Sequence, residues 1–81
     1  MVINILVTVT DEDGVGIPGV FVEYASAAYD AMDMGQETDS NGKVTLSLEY
    51  DQSKIYGPLY LNGVRQGMYE FEDQDEVHFE I

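Results

Sequence analysis

Apolar and polar residues alternate along the first ten positions of the chain, which is the pattern of a half-buried β-strand. Every second position from 3 to 9 holds a branched apolar residue: Ile3, Ile5, Val7 and Val9. Successive side chains of a strand point to opposite faces, so this spacing predicts one buried face and one polar face. The acidic residues 11–13 and Gly14 then end the predicted strand.

The same alternation predicts a second strand after the Gly-Ile-Pro-Gly segment at residues 16–19. Its inward-facing residues are Val20, Val22 and Tyr24. Phe21 lies between them and is expected to face outward. Residues 25–35 contain good helix formers but no firm apolar stripe, so they predict a loop with an irregular strand, or one helical turn.

The most regular alternation follows residues 39–42, Asp-Ser-Asn-Gly, whose side chains can cap a turn and whose glycine can adopt positive φ. The strand after this turn is expected to place four residues inward: Val44, Leu46, Leu48 and Tyr50. Further along, Asn62-Gly63 predicts a type I′ hairpin turn, because both residues accept the left-handed conformation that this turn demands.

The hairpin turn separates a strand at residues 56–61 from one that starts at Val64, in which Tyr69 and Phe71 continue inward. The last strand follows an acidic turn at residues 72–76, with Val77, Phe79 and Ile81 sharing one face. Six to seven short strands separated by turns predict an all-β sandwich or small barrel, and they exclude a parallel α/β sheet. We expect a single domain over residues 1–81.

The charge balance limits the kinds of partner that the chain can bind. It has 16 acidic and three basic residues, which give a net charge of −13 at pH 7. Nucleic-acid binding needs Lys and Arg to displace counterions, so we expect no direct binding of nucleic acid. The physical complement is a protein partner with a basic or polar face, divalent cations or a high-salt environment. The absence of cysteine excludes disulfides, thiolate metal sites and a cysteine nucleophile.

The amino terminus carries no basic flank, so residues 1–6 are interpreted as a first strand rather than a signal peptide. No stretch has the length that a transmembrane helix needs, and we expect no membrane association. A chain that starts at methionine and begins a strand at once has the form of a short complete reading frame. An excised domain with an added methionine has the same form. Localisation therefore stays unknown.

Two stretches, TDEDGVGIPGVFVEY and ETDSNGKVTLSLEY, carry a family resemblance. The shared pattern is a strand, Asp-x-x-Gly, a Pro-Gly step into a strand, and Thr-Asp-x-x-Gly-Lys before another strand. It falls here on Asp11, Gly14, Pro18, Gly19, Val20, Val22, Thr38, Asp39, Gly42, Lys43 and Val44. Over roughly the first 50 residues the chain resembles the carboxypeptidase-regulatory-like and collagen-binding-B-type modules.

The resemblance implies an immunoglobulin-like or transthyretin-like antiparallel β-sandwich with a non-enzymatic role in adhesins, cell-surface proteins or phage virions. The second half departs from the pattern, because residues 56–60, Tyr-Gly-Pro-Leu-Tyr, replace the usual Gly-x-Tyr turn. Some relatives form an internal isopeptide bond from a lysine two residues before the strand-ending Asp. Val9 occupies that position here, so we infer no such bond.

Catalytic chemistry has little support in the residue types. His78 is the single histidine, so one chain cannot assemble a histidine-rich metal site. A Ser-His-Asp arrangement would need His78 beside one of four serines: Ser26, Ser40, Ser47 or Ser53. His78 alternates out of phase with Val77 and Phe79, so an exposed strand position is the simpler interpretation. We predict no catalytic residue and no cofactor.

Calcium is a candidate ligand of the acidic turns, because clustered hard oxygen ligands suit this ion. The candidate ligands are Asp11, Asp13 and Asp39. Neither turn matches the twelve-residue helix-loop-helix pattern. The alternative is that these carboxylates cap backbone N–H groups and stay solvated.

Six acidic residues near the carboxy terminus are candidates for partner binding: Glu70, Glu72, Asp73, Asp75, Glu76 and Glu80. They predict a docking face for a basic partner, a mimic of the phosphate backbone, or a self-repelling soluble surface. Rows of carboxylates at phosphate-like spacing would favour mimicry, and scattering would favour solubility. Tyr60 and Tyr69 are further partner-binding candidates, because tyrosine adds contact area at low entropy cost.

The favoured interpretation is a non-enzymatic structural or interaction module, a decoration or adhesion accessory of a phage virion or a surface. The alternative is a small acidic inhibitor that mimics nucleic acid and blocks a nucleic-acid-processing protein. A halophile's domain, whose acidity reflects its solvent, is a third interpretation. The strand edges of a sandwich also predict homo-oligomerisation, with the carboxy-terminal strand as the candidate edge.

Overall fold

A computed structural model describes residues 2–24, 35–49 and 53–81 of the chain. These residues form strands and no helix, so the all-β prediction is confirmed. Seven strands lie within the described ranges: β1 (Val2–Thr10), β2 (Phe21–Tyr24), β3 (Gln36–Glu37), β4 (Lys43–Glu49), β5 (Lys54–Leu61), β6 (Val64–Glu72) and β7 (Asp75–Glu80). The predictions for residues 25–34 and for Tyr50 fall outside these ranges. Within them there is no helix that could cross a membrane.

The strands form two sheets. The small sheet has the order β4-β1-β7, and the large sheet has the order β3-β2-β5-β6. In the small sheet, β1 pairs antiparallel with β4 from Val2↔Glu49 to Thr8↔Lys43. The other neighbour of β1 is β7, which runs parallel to it from Ile5↔Asp75 to Thr10↔Glu80.

The parallel β1–β7 pair departs from the antiparallel sandwich that the family resemblance implies. Parallel neighbours need a crossover connection rather than a hairpin. Here the crossover consists of β2 to β6, most of which forms the large sheet. Alternation along a strand carries no information about the direction of a neighbour this distant in the chain, so the pattern alone could not predict it.

Every pair in the large sheet is antiparallel. The β5–β6 hairpin turns at Asn62 and Gly63 with φ of 49° and 80°, which confirms the predicted left-handed pair of turn residues. The register shifts between Leu59 and Tyr60, opposite Gly67, whose φ is 133°. Such a shift is a β-bulge, which glycine permits by its freedom at positive φ.

The hydrophobic core lies between the two sheets. Its members are Ile3, Ile5, Val7, Val9, Val20, Val22, Tyr24, Val44, Leu46, Leu48, Ile55, Leu59, Leu61, Phe71 and Phe79. The inward positions predicted for β1, β2 and β4 are therefore confirmed at every described residue. The hydroxyl of Tyr24 donates to the carbonyl oxygens of Tyr69 at 2.8 Å and Ile55 at 3.3 Å, which satisfies a polar group in the core.

The chain passes from the large sheet to the small sheet at the end of β6. The acidic turn predicted at residues 72–76 is shorter in the structure, because Glu72 still belongs to β6 and Asp75 already begins β7. Two carboxylates hold this connection. Asp73 Oδ1 accepts the Asn4 N–H of β1 at 2.8 Å, and Asp75 Oδ2 accepts the Glu72 N–H at 2.8 Å. Ile81 follows β7 and is 54% exposed.

Candidate interaction surface

The outer face of the large sheet carries aromatic and apolar side chains on its central strand. In β5, four residues alternate with buried ones and point away from the core: Lys54, Tyr56, Pro58 and Tyr60. Tyr56 is 51% exposed, so about half of this large side chain is open to a partner. Within the described residues, the pairing of β5 with β2 runs from Leu61 to Leu59, next to Pro58.

Neighbouring strands extend this surface on both sides. Met68 of β6 lies opposite Pro58 and is 41% exposed. Phe21, at the start of β2, is 39% exposed, which confirms its predicted outward direction. We call the resulting surface the aromatic face, and it consists of Phe21, Tyr56, Pro58, Tyr60 and Met68. Exposed aromatic, proline and methionine side chains together form the kind of patch that marks interaction sites.

The backbone around Phe21 is held firmly. Its N–H donates to Asn62 Oδ1 at 2.9 Å, and the Asn62 N–H donates to the Phe21 carbonyl oxygen at 2.8 Å. Its ring covers Gly35, where an added Cβ would clash with the ring. A side chain that is already ordered loses less conformational entropy when a partner binds.

Charged residues surround the aromatic face. In the register of the large sheet, Glu37 lies beside Phe21, Glu23 and Arg65 lie beside Tyr60, and Glu70 lies beside Tyr56. Lys54 forms an ion pair with Glu72 at 3.5 Å, with both side chains more than half exposed. An ion pair this exposed contributes little to stability. The border is acidic on balance, with Glu23, Glu37, Glu70 and Glu72 against Lys54 and Arg65.

The six carboxy-terminal acidic residues lie in three different parts of the structure. Glu70 and Glu72 project from the same face of β6, as predicted, and border the aromatic face. Glu76 and Glu80 project from the outer face of the small sheet. Asp73 and Asp75 hold the turn between the two sheets. The acids therefore do not form one continuous row.

The Asp73 carboxylate also accepts the side-chain amide of Asn4 at 3.3 Å. These contacts lower the pKa of Asp73 from its ordinary value of 3.8, the Asn4 backbone N–H being the largest cause. Hydrogen bonds to a carboxylate favour its charged form. The charge at this position therefore acts within the fold, where it holds the turn between β6 and β7 against Asn4 of β1.

The two tyrosine candidates lie in different environments. Tyr60 belongs to the aromatic face, where it is half-buried. Tyr69 lies at the open edge between the sheets, with its ring stacked on Phe71 at 5.8 Å and edge-on to Phe79 at 5.6 Å. This ring is packed against the core rather than displayed beside Tyr60.

The outer face of the small sheet is mainly polar. A shallow depression of about 360 Å³ lies there, lined by Asn4, Leu6, Thr45, Gln74, Asp75 and Glu76. Asn4 is held in place on this face, because Ser47 Oγ donates to its Oδ1 at 2.7 Å. His78 is exposed on the same face, and its Nε2 lies 2.6 Å from Thr10 Oγ1. Among the described residues, the hydrogen bond of this histidine goes to a threonine and not to Ser40, Ser47 or Ser53, and Ser26 lies outside the described ranges.

The candidate calcium ligands hold turns together. Asp11 Oδ1 accepts the N–H groups of Asp13 at 2.8 Å and Val15 at 3.0 Å. Asp39 Oδ1 does the same for Asn41 at 2.8 Å and Lys43 at 3.0 Å. In the described ranges no three His, Asp or Glu side chains are grouped so that they could hold a metal ion. The carboxylates of Asp11 and Asp39 thus have the capping role that the sequence offers for them.

Comparison with known proteins adds no family assignment. No protein-family model matches the chain, and no curated protein matches its sequence.

Sequence reasoning missed Tyr56, Pro58 and Met68 as members of the aromatic face, and Arg65 on its border. The period-two alternation through β5 could have placed Tyr56 outward beside Tyr60. The inward positions predicted for Tyr69 and Phe71 could likewise have placed Met68 outward, whereas Arg65 is harder to place, because the bulge near Gly67 shifts the alternation of β6 before it. A glycine inside a strand pattern is a signal of such a bulge.

Proposed function

We propose that this domain is a non-enzymatic protein-binding module of the immunoglobulin-like or transthyretin-like sandwich type, with the aromatic face as its docking surface. The observation that carries the proposal is the exposure of Phe21, Tyr56 and Met68 on one sheet face. Residues of these types are enriched at the centres of protein interfaces. Their anchoring in a paired sheet gives a partner a surface that needs little ordering.

The border of the aromatic face supports a partner with basic groups around an apolar centre. Acidic residues outnumber basic ones on this border, and the net charge of the whole chain is −13. Complementary charge increases the association rate and selects among partners, and both effects weaken as salt rises. A place on a virion or another biological surface, as a decoration or adhesion protein, is supported by the family resemblance of the first half of the chain.

Inhibition by nucleic-acid mimicry is the less supported alternative. A mimic needs carboxylates in rows, and Glu70 and Glu72 provide only a pair. Lys54 partly neutralises Glu72, at 3.5 Å. Asp73 and Asp75 are engaged in the turn, and Glu76 and Glu80 project from the other sheet. This distribution fits a dispersed acidic surface better than a row.

A quantitative affinity capture from lysate of the source organism, or of phage-infected cells, tests the proposal. The bait variant Tyr56→Ser/Met68→Ser removes two members of the aromatic face. The matched control Val2→Ser/Ile81→Ser removes two exposed apolar residues elsewhere, at 47% and 54% exposure. A partner of the aromatic face should be retained by the wild type and the control and depleted about tenfold by the first variant, as expected for interface hot spots.

Two results would count against the proposal. One is that all captured proteins bind both variants equally. The other is capture of a nuclease, polymerase or repressor that tolerates Tyr56→Ser/Met68→Ser but is lost with Glu70→Gln/Glu72→Gln. That second result would favour the inhibitor, whose binding should depend on carboxylates rather than on the aromatic face.

A further inference from the structure

β7 forms one edge of the small sheet, and its residues alternately direct their backbone N–H and C=O groups toward β1 and away from it. The Ile81 N–H donates to the Thr10 carbonyl oxygen of β1 at 2.9 Å. Backbone groups alternate in direction along a strand, so Val77 and Phe79 also direct theirs toward β1. Glu76, His78 and Glu80 therefore direct their N–H and C=O groups away from β1.

Two contacts of β1 agree with this assignment. Gln74 precedes β7 and has φ of 71°, so it lies outside the alternation of β7, and its N–H donates to the Asn4 carbonyl oxygen at 2.8 Å. The Val9 N–H, an odd position, points the other way and donates to the Gly42 carbonyl oxygen on the β4 side at 2.7 Å. The even-numbered residues of β1 thus direct their backbone N–H and C=O groups toward β7, and the odd-numbered residues direct theirs toward β4. Within the part of the chain that the structure describes, no strand pairs with the outer side of β7.

The side chains on this edge argue against pairing with a second copy of β7. Antiparallel pairing centred on His78 would place each Glu76 opposite the Glu80 of the other copy. Parallel pairing in register would place each glutamate opposite itself. Like charges directly opposite each other destabilise a strand pair. The predicted homo-oligomerisation through this strand is therefore unfavourable while the glutamates are charged.

The inner side of the same edge is apolar. Val77 and Tyr69 are half-buried and pack against the core, and the ring of Tyr69 in β6 lies edge-on to that of Phe79 in β7 at 5.6 Å. A strand added to β7 would alternate like any other, with one face beside Glu76 and Glu80 and the other beside Val77 and Tyr69. The matching strand has basic residues on the first face and apolar residues on the second.

We propose that β7 is a docking edge for an extended segment of another protein in which Lys or Arg alternates with apolar residues, added as a further strand of the small sheet. Main-chain hydrogen bonds from Glu76, His78 and Glu80 hold the segment, and the two glutamates select its basic face. Strand addition of this kind is a recurring mode of peptide recognition. The edge is separate from the aromatic face, so this inference stands or fails independently of the docking surface proposed above.

The probe for the test is a blocked synthetic peptide with the sequence Gly-Lys-Val-Lys-Val-Lys-Val-Gly, titrated into ¹⁵N-labelled protein at pH 7. The control peptide replaces each lysine by glutamate. We expect the lysine peptide to shift the amide signals of Glu76, His78 and Glu80 and to slow their hydrogen exchange. The glutamate peptide should leave these signals unchanged, because it presents like charge to Glu76 and Glu80.

Two variants separate the backbone contribution from the charge contribution. His78→Pro removes an edge N–H that does not face β1, so it should abolish peptide binding while the signals of β1 and β4 stay in place. Glu76→Gln/Glu80→Gln keeps every backbone group and should weaken binding several-fold. The second variant changes exposed side chains and keeps the proposal testable if the proline variant does not fold.

Three outcomes would overturn the proposal. The lysine peptide could fail to bind at concentrations up to about 1 mM, which would mean an affinity too weak for a specific docking edge. Its shifts could map to the aromatic face or to β4 instead of β7. Sedimentation could show a dimer at pH 7 that His78→Pro dissociates, which would make a second copy of the chain the occupant of this edge.

Discussion

Two turns of this domain share one local structure and differ in what surrounds them. The first turn is Asp-Glu-Asp-Gly-Val at residues 11–15, and the second turn is Asp-Ser-Asn-Gly-Lys at residues 39–43. In each, the aspartate N–H donates to the carbonyl oxygen four residues later, at 2.9 Å in the first turn and 2.8 Å in the second. In each, the aspartate Oδ1 accepts the N–H groups two and four residues later, at 2.8 and 3.0 Å.

The glycines of the two turns have the same backbone conformation but different neighbours. Gly14 has φ of 82° and Gly42 has φ of 74°. A Cβ added at Gly14 would meet nothing within 4 Å. One added at Gly42 would clash with the Val9 carbonyl oxygen and lie 2.7 Å from Gly16 Cα. The turn itself is a local property of the sequence, whereas the space around it depends on the rest of the fold.

The second turn is crowded because three backbone segments meet there. The Val9 N–H donates to the Gly42 carbonyl oxygen at 2.7 Å, and the Ile17 N–H donates to the Val9 carbonyl oxygen at 2.9 Å. An isolated bridge between Thr10 and Gly16 completes the contact. A Cβ at residue 16 or 42 would push these backbone segments apart, so this packing depends on glycine at both positions.

Gly42→Ala should produce the largest loss of stability among the turn variants. Alanine would incur the cost of a left-handed conformation and would also clash with backbone atoms that cannot move aside as a side chain can. The two effects together should lower the free energy of unfolding by about 2 to 5 kcal/mol. Urea denaturation followed by circular dichroism measures this loss. A value equal to that of Gly14→Ala would show that crowding at the second turn has no energetic effect.

Gly16→Ala isolates crowding from backbone strain. Gly16 is not among the glycines with positive φ, but an added Cβ would clash with the Asn41 carbonyl oxygen and lie 2.9 Å from the Gly42 N. We expect an intermediate loss of about 1 to 3 kcal/mol, the usual range for overpacking. The same denaturation experiment applies. Stability at the wild-type level would mean that the backbones of residues 16 and 41 separate without loss.

Gly14→Ala isolates backbone strain from crowding. The added methyl group would meet nothing within 4 Å, but it would sit on a residue with φ of 82°. We expect a loss of about 1 kcal/mol, the cost of placing alanine in the left-handed region. Gly14→Asn is the matched control, because asparagine tolerates this region better and should recover part of the loss.

The contribution of Asp39 to the pH dependence of folding stability should be the smallest of these effects. Its pKa is lowered from the ordinary 3.8, first by the Lys43 N–H, then by the Asn41 N–H, with the Lys43 charge adding to both. A carboxylate with a lowered pKa in the folded state stabilises the fold above its unfolded pKa. That stabilisation is lost as pH falls through the lower, folded pKa.

Asp39→Asn should therefore reduce stability at pH 7 and make the decline of stability below pH 3.8 shallower than in the wild type. Urea denaturation at a series of pH values measures both changes. Glu12→Gln is the control for loss of one negative charge from an exposed turn residue. An unchanged acid profile in Asp39→Asn would contradict the assignment of this carboxylate to the Lys43 and Asn41 N–H groups.

Local features of the fold could be predicted because each depends on nearby residues. The buried faces of β1 and β4 follow from alternation, as Ile5 and Leu46 illustrate with exposures of 0% and 1%. The Asn62-Gly63 turn follows from the freedom of both residues to take positive φ. Among the candidate surface residues, Phe21 and Tyr60 were accessible to the same reasoning, since their outward directions are fixed by the strand period.

The acidic cluster shows where local reasoning stops. Asp73 and Asp75 look like their acidic neighbours in the sequence, yet they accept backbone N–H groups of Asn4 and Glu72. Asn4 lies 69 residues away from Asp73 along the chain. The Asp75 contact is local, whereas no pattern within residues 70–80 could distinguish Asp73 from the exposed Glu70 and Glu76, because its contact depends on where β1 lies.

The strands, their buried faces and the geometry of the turns follow from short stretches of sequence, because they depend on side-chain alternation and on φ preferences over a few residues. Three other features required the folded chain: β7 runs parallel to β1, β6 and β7 belong to different sheets, and Gly42 is crowded whereas Gly14 is open. Such features depend on contacts between distant segments. They are selected by the packing of two sheets around one core, which no short window of residues contains.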